Sequence, residues 1–103
     1  MMEILVGLMV TDETTYATYR AQMTPLLTAR GGSFGVDVRV AEVLQSPGSE
    51  PFNRLFTIRF SSLAAHDAFF ADPEYLAVRK RYFDASVAPT GRFIQRYEVL
   101  PKG

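Results

Sequence analysis

Residues Ile4 to Val10 read ILVGLMV and are apolar at every position. A β-strand sends alternate side chains to opposite faces, so this run offers Ile4, Val6, Leu8 and Val10 to one side and Leu5, Gly7 and Met9 to the other. Both sides need covering, which places the strand in the middle of a sheet. The rest of the chain holds only about two helices' worth of helical pattern, enough for one face.

At 103 residues the chain is expected to form a single domain spanning residues 1–103, large enough for one core and too small for two. Eleven basic residues balance eleven acidic ones, so no long-range field draws in a polyanion or an anionic membrane surface. Nucleic acid and membrane are therefore not expected partners. The absence of cysteine removes disulfides, thiol nucleophiles and thiolate metal sites together. The apolar start lacks a basic leader and is interrupted by Asp12 and Glu13, well short of the roughly 20 residues of a membrane helix. These features together predict a cytoplasmic protein.

After the first strand, a polar start at Thr11 and Asp12 leads into Tyr16, Tyr19, Met23, Leu26 and Leu27 at helical spacing, with Gly31 and Gly32 as a stop. Pro25 lies inside this helix and predicts a kink or a break, since an interior proline costs on the order of 3 kcal/mol. In SFGVDVRVAEVL, Phe34, Val36, Val38 and Val40 alternate with Gly35, Asp37, Arg39 and Ala41, which predicts a second strand with one apolar face. A Pro-, Gly- and Ser-rich segment then leads into RLFTIRF, a third strand pairing with the second as a hairpin. Ser61 or Ser62 can cap a short helix, LAAHDAFF, and Asp72-Pro73-Glu74 restarts it, so the second helix comes in two pieces. RFIQRYEVL alternates Phe93, Gln95, Tyr97 and Val99 against Arg92, Ile94, Arg96 and Glu98 and reads as a fourth strand. The order βαββαβ is the split-βαβ, ferredoxin-like α+β arrangement: a four-stranded antiparallel sheet, the first and third strands central, both helices on one face.

Leu5, Met9 and Leu55 then lie on the uncovered face. Burying one Leu or Met side chain is worth roughly 1.5 to 3 kcal/mol against a domain stability of about 5 to 15, so that face calls for a cover. A homodimer with its open faces turned inward is the simplest one, because a two-fold needs only one self-complementary surface.

The stretch RLFTIRFSSLAAHDAFFADPEYLAVRKRYF, preceded by Tyr16, Tyr19 and ARGGSFGVDVRVAEVL, resembles a small family of dimeric α+β barrel proteins known as domain of unknown function 1330. Its most specific pieces are the paired glycines before the second strand, Phe60-Ser61-Ser62, and Pro73 to Tyr75. The chain departs from the family pattern in having Leu76, and not a glutamine, after Tyr75, and in a longer hairpin segment. The resemblance implies a ferredoxin-like dimer and names no reaction, and fold-level analogy cannot supply one.

His66 is the sole histidine, with an ordinary pKa of about 6.5, and is a candidate general base or haem ligand set against a helix-packing role. One histidine without cysteine argues against a dedicated zinc or copper site. Alternation places Asp37, Arg39, Thr57 and Arg59 on the face of Leu5 and Met9. In a dimer they would converge in an apolar inter-sheet cavity, the usual make-up of a small-molecule site. There Arg39 and Arg59 would hold a carboxylate or enolate, Thr57 would assist, and Asp37 would take a proton if burial raised its pKa. The competing reading is a cross-strand Asp–Arg pair that fixes hairpin register. Tyr75 is a ligand contact or a core aromatic, while Arg79, Lys80 and Arg81 read as a solvated helix end. No phosphate loop, dinucleotide fingerprint, nucleophile elbow or metalloprotease motif occurs. The expected function is a cofactor-independent enzyme acting on a small organic acid or aromatic metabolite, or else a non-catalytic ligand-binding or stress-associated dimer. RNA-binding modules share the topology and stack bases on third-strand aromatics, but RLFTIRF lacks their glycine and basic character, and Phe56 and Phe60 are needed under the helices.

Overall fold

The structure is a computed structural model that describes residues 1–48 and 50–100. Strand β1 (Met2–Leu8) leads to helix α1 (Glu13–Ala29) and strands β2 (Gly32–Arg39) and β3 (Arg54–Phe60). Helices α2 (Leu63–Phe70) and α3 (Pro73–Val78), a π turn (Arg79–Phe83), the short α4 (Asp84–Ser86) and β4 (Phe93–Glu98) complete the order. The four strands form one antiparallel sheet in the order β2-β3-β1-β4, with β1 and β3 central. This is the ferredoxin-like α+β fold.

The elements begin where local chemistry says they should. The Asp12 carboxylate accepts from the Thr15 N–H at 3.1 Å to open α1, and Ser62 Oγ accepts from Ala65 N–H at 3.1 Å to open α2. Asp72 accepts from Glu74 N–H at 2.9 Å, with Pro73 at the first helical position of α3. Gly31, at φ +79°, ends α1 in the left-handed region that other residues avoid.

Alternation in β1 splits its side chains as expected. Ile4, Val6 and Leu8 are buried with Phe56, Ile58 and Phe60 of β3 beneath Tyr16, Tyr19, Met23 and Leu27 of α1. Phe69, Tyr75 and Phe83 close this core from the second helical layer. On the opposite face Leu5, Met9 and Leu55 are half-buried, and Val38 of the edge strand is 43% exposed. Phe93 lies so close over Gly7 that an added Cβ would sit 2.1 Å from its ring, and Phe52 packs edge-on against Phe93 at 5.0 Å. That end of the face is thus capped from within the chain.

Two local expectations are corrected. Helix α1 runs through Pro25 without a break. Pro25 and Ala21 both lie on the solvent side, where water can serve the Ala21 carbonyl that loses its donor. The second correction concerns β2, where Phe34 pairs with Ile58 but Asp37 with Phe56, three steps on one strand against two on the other. This bulge turns the residues after it to the other face of the sheet. Val36 and Val38 therefore do not share an apolar face with Phe34.

Candidate functional site

Because of the bulge, the four polar residues expected together on the open face are divided. Asp37 and Arg39 sit on the helix side, whereas Thr57 and Arg59 sit on the open side, paired with Leu5 and Glu3. Asp37 accepts from Arg54 Nε at 2.8 Å and Nη2 at 2.9 Å, and from Arg20 of α1 at 3.2 Å. The Arg54 hydrogen bonds, reinforced by both guanidinium charges, hold its carboxyl below the usual range against the upward push of burial. A carboxylate so placed is a poor proton acceptor. Arg39 lies 4.0 Å from Glu13 at the same edge. Thr57 Oγ1 accepts the Val36 N–H at 2.9 Å inside the bulge. Arg59 donates to Glu3 Oε2 at 2.8 Å, and Glu3 also accepts from the Tyr97 hydroxyl at 2.5 Å. That hydroxyl first, then Arg59, lowers the Glu3 pKa.

His66 is buried, edge-on to Phe60 with centroids 5.2 Å apart and tilted against Phe70 at 4.8 Å. Its Nδ1 meets Asp67 Oδ1 at 2.8 Å, and among the described residues its Nε2 has no partner. It does not line the cavity described below.

The chemistry gathers on the helix side of the sheet. A cavity of about 90 Å³ lies there, walled by Val6, Leu8, Phe56 and Ile58 of the central strands and by Met23 and Phe34. Tyr19 and Tyr75 line it as well, their hydroxyl oxygens 2.8 Å apart. Burial, above all, raises both hydroxyl pKa values. Three arginines border the space: Arg20 from α1, Arg79 from the π turn and Arg92 at the start of β4. Arg20 lies over the rings of Phe34 at 4.1 Å and Phe56 at 4.4 Å, and its charge is committed to Asp37. Arg92 donates to the backbone carbonyls of Ala88 at 2.8 Å and Val87 at 3.3 Å. Arg79 lies over Phe83, 5.3 Å from its ring centroid, and among the described residues its guanidinium has no hydrogen-bond or carboxylate partner. Single π turns inside helices recur at functional sites, and here the turn carries both Arg79 and Phe83 to the cavity wall.

Tyr75 is thus the one expected site residue on this cavity. Arg79 and Arg92 border the cavity without having been candidates from the sequence. Arg79 stands four residues after Tyr75, which puts the two on one helix face. Arg92 carries no comparable local signal. The open face keeps Thr57 and Arg59, one inside the bulge and one in the Glu3–Tyr97 network, and neither reaches the cavity.

Fold and cavity together define a small ferredoxin-like α+β protein with an apolar, arginine-bordered pocket. The family profile described as Domain of unknown function (DUF1330) matches residues 4–90, and the chain belongs to that family. No curated protein matches the sequence. Among solved structures, the chain is similar to RPA0582, a protein of unknown function from Rhodopseudomonas palustris: 20% identity, TM-score 0.78, over 98% of this chain and 83% of that one. A dabb family protein with a ferredoxin-like fold from Mesorhizobium loti matches at 17% identity and TM-score 0.67, covering 97% of each chain. A dimeric ferredoxin-like protein of unknown function from Jannaschia sp. CCS1 matches at 21% identity and TM-score 0.67, over 95% of this chain and 98% of that one. Among the described residues no helix is long and apolar enough to cross a membrane.

Proposed function

We propose that this protein is a homodimer in which each protomer binds a small organic molecule between its sheet and its helices. The observation that carries the reading is the cavity itself: apolar walls from the two central strands, a buried tyrosine pair, and arginines at the border. A few convergent polar groups in an otherwise apolar concavity are what small-molecule sites are made of. At about 90 Å³ the space suits a ligand of a few carbon atoms.

The residues favour binding over proton-transfer catalysis. The ionisable side chains on the cavity wall are tyrosines and arginines, which keep their protons at neutral pH. His66 and Asp37, the groups once expected to move a proton, lie elsewhere, one against Phe60 and Phe70 and the other clamped by two arginines. The dimer reading rests on the open sheet face, where Leu5, Met9 and Leu55 are half-buried around Val38, and the dimeric Jannaschia protein is consistent with it.

A thermal-shift titration with sodium propionate, butyrate and isovalerate, together with their neutral amides, tests the site. Binding of any of them should raise the melting temperature. Ile94→Trp should remove that rise without unfolding the protein, because Ile94 borders the cavity from an edge strand and is 47% exposed. Equal shifts in Ile94→Trp and the parent protein would place the binding elsewhere and end this reading.

A further inference from the structure

We infer that the Tyr19–Tyr75 hydroxyl pair and Arg79 together form the polar end of the cavity, and that they select a ligand carrying a carboxylate on a short apolar body. The inference deepens the ligand-binding reading above and rests on it.

Hydrogen-bond counting is the first support. Each tyrosine hydroxyl has one hydrogen, and two hydroxyls 2.8 Å apart use only one hydrogen between them, whichever of the two donates. The second hydrogen has no acceptor among the described residues, although Tyr19 and Tyr75 are both buried. A buried donor left unpaired is costly, so this one is poised for an acceptor that enters the cavity both side chains line. The pair also stays protonated: burial raises both pKa values first of all, and at neutral pH the spare hydrogen remains in place.

Charge is the second support. Arg79 borders the same cavity, and its positive charge acts on the Tyr75 hydroxyl in the opposite sense to burial and to the nearby Asp84 carboxylate. Among the described residues no carboxylate forms an ion pair with it, unlike Arg20, Arg54 and Arg59, each of which is paired. A neutral O–H donor beside an unpaired guanidinium asks for a ligand oxygen that bears negative charge. Arg92, tied to the Val87 and Ala88 carbonyls, adds a second positive charge at the border. The remaining wall is apolar and suits the hydrocarbon part of such an acid.

The same acids and amides separate this inference from the reading it rests on, with inorganic phosphate as an anion control and ionic strength held constant. In the parent protein each acid should bind more tightly than its amide, and phosphate should not substitute for either. The double variant Tyr19→Phe/Tyr75→Phe keeps the ring shapes and removes both hydroxyls; it should weaken acid binding roughly tenfold or more and amide binding by clearly less, since the charge-assisted hydrogen bond is the stronger. Arg79→Met should do the same independently, and so keeps the test open if the double variant fails to fold. Acids and amides binding alike, or acid affinity unchanged in the variants, would overturn the carboxylate assignment and leave the pocket standing. If neither series binds, the pocket reading falls with it.

Discussion

Asp37 gathers Arg20 from α1 and Arg54 from β3 at one corner of the sheet, with Arg20 also donating to the Tyr16 hydroxyl at 2.9 Å. Its carboxyl is held below the ordinary value by the Arg54 hydrogen bonds and the two charges. A depressed folded-state pKa means stability that is present above the ordinary carboxylate pKa, near 4, and lost as the pH falls through that value toward the folded one. Asp37→Asn should therefore cost about 1 kcal/mol at pH 7, partial exposure keeping it near the low end for a charged pair. Urea denaturation would show the difference from the parent shrinking as the pH falls below about 4; a constant gap from pH 7 to pH 3 would refute the charge-pair account. The side chains legible in sequence were those whose role follows from local spacing. Tyr75 was a candidate contact because helical periodicity turns it inward. Its partner Tyr19 lies 56 residues away, and no local pattern reveals that their hydroxyls meet.

The strands and helices were legible for a similar reason: capping residues, proline placement and apolar periodicity act within a few positions. Asp12, Ser62 and Asp72-Pro73 start their helices as their chemistry requires. The facing of β2 failed because strict alternation was assumed across Gly35, where a glycine inside a strand often marks a bulge. An added Cβ there would stand 2.5 Å from Thr57 Oγ1, the atom that accepts the Val36 N–H. One irregular position moved Asp37 and Arg39 away from Thr57 and Arg59 and dissolved the expected polar cluster. Pro25 does not break α1, because the penalty depends on whether the orphaned carbonyl is buried, and Ala21 is exposed. Pro25→Ala restores the missing donor and should stabilise the protein by about 1 to 3 kcal/mol, read as a higher melting temperature. A lower melting temperature would mean that Pro25 supports α1 in some way other than tolerated strain.

The whole molecule presents one finished face and one unfinished face. Helices, core and cavity complete the first; the second carries half-buried Leu5, Met9 and Leu55, capped at one end by Phe52 and Phe93 and bordered by the Glu3–Arg59–Tyr97 network. Light scattering at micromolar concentration should give twice the 11.5 kDa of the chain. Leu55→Glu should return it to a single chain that stays folded, because a lone buried carboxylate in a two-fold interface meets its own copy. A parent protein that scatters as one chain would overturn the dimer and leave the cavity untouched. The unfinished face is legible in the sequence by counting coverage, whereas the room beneath the helices has no signature in the linear pattern.

Strand β1 serves both faces at once, Ile4, Val6 and Leu8 on the cavity and Leu5 on the open side. Inserting or deleting one residue in it would exchange the two sets, setting ligand wall against neighbour and neighbour contacts against ligand. Such a strand can tolerate many changes of side chain and hardly any change of length.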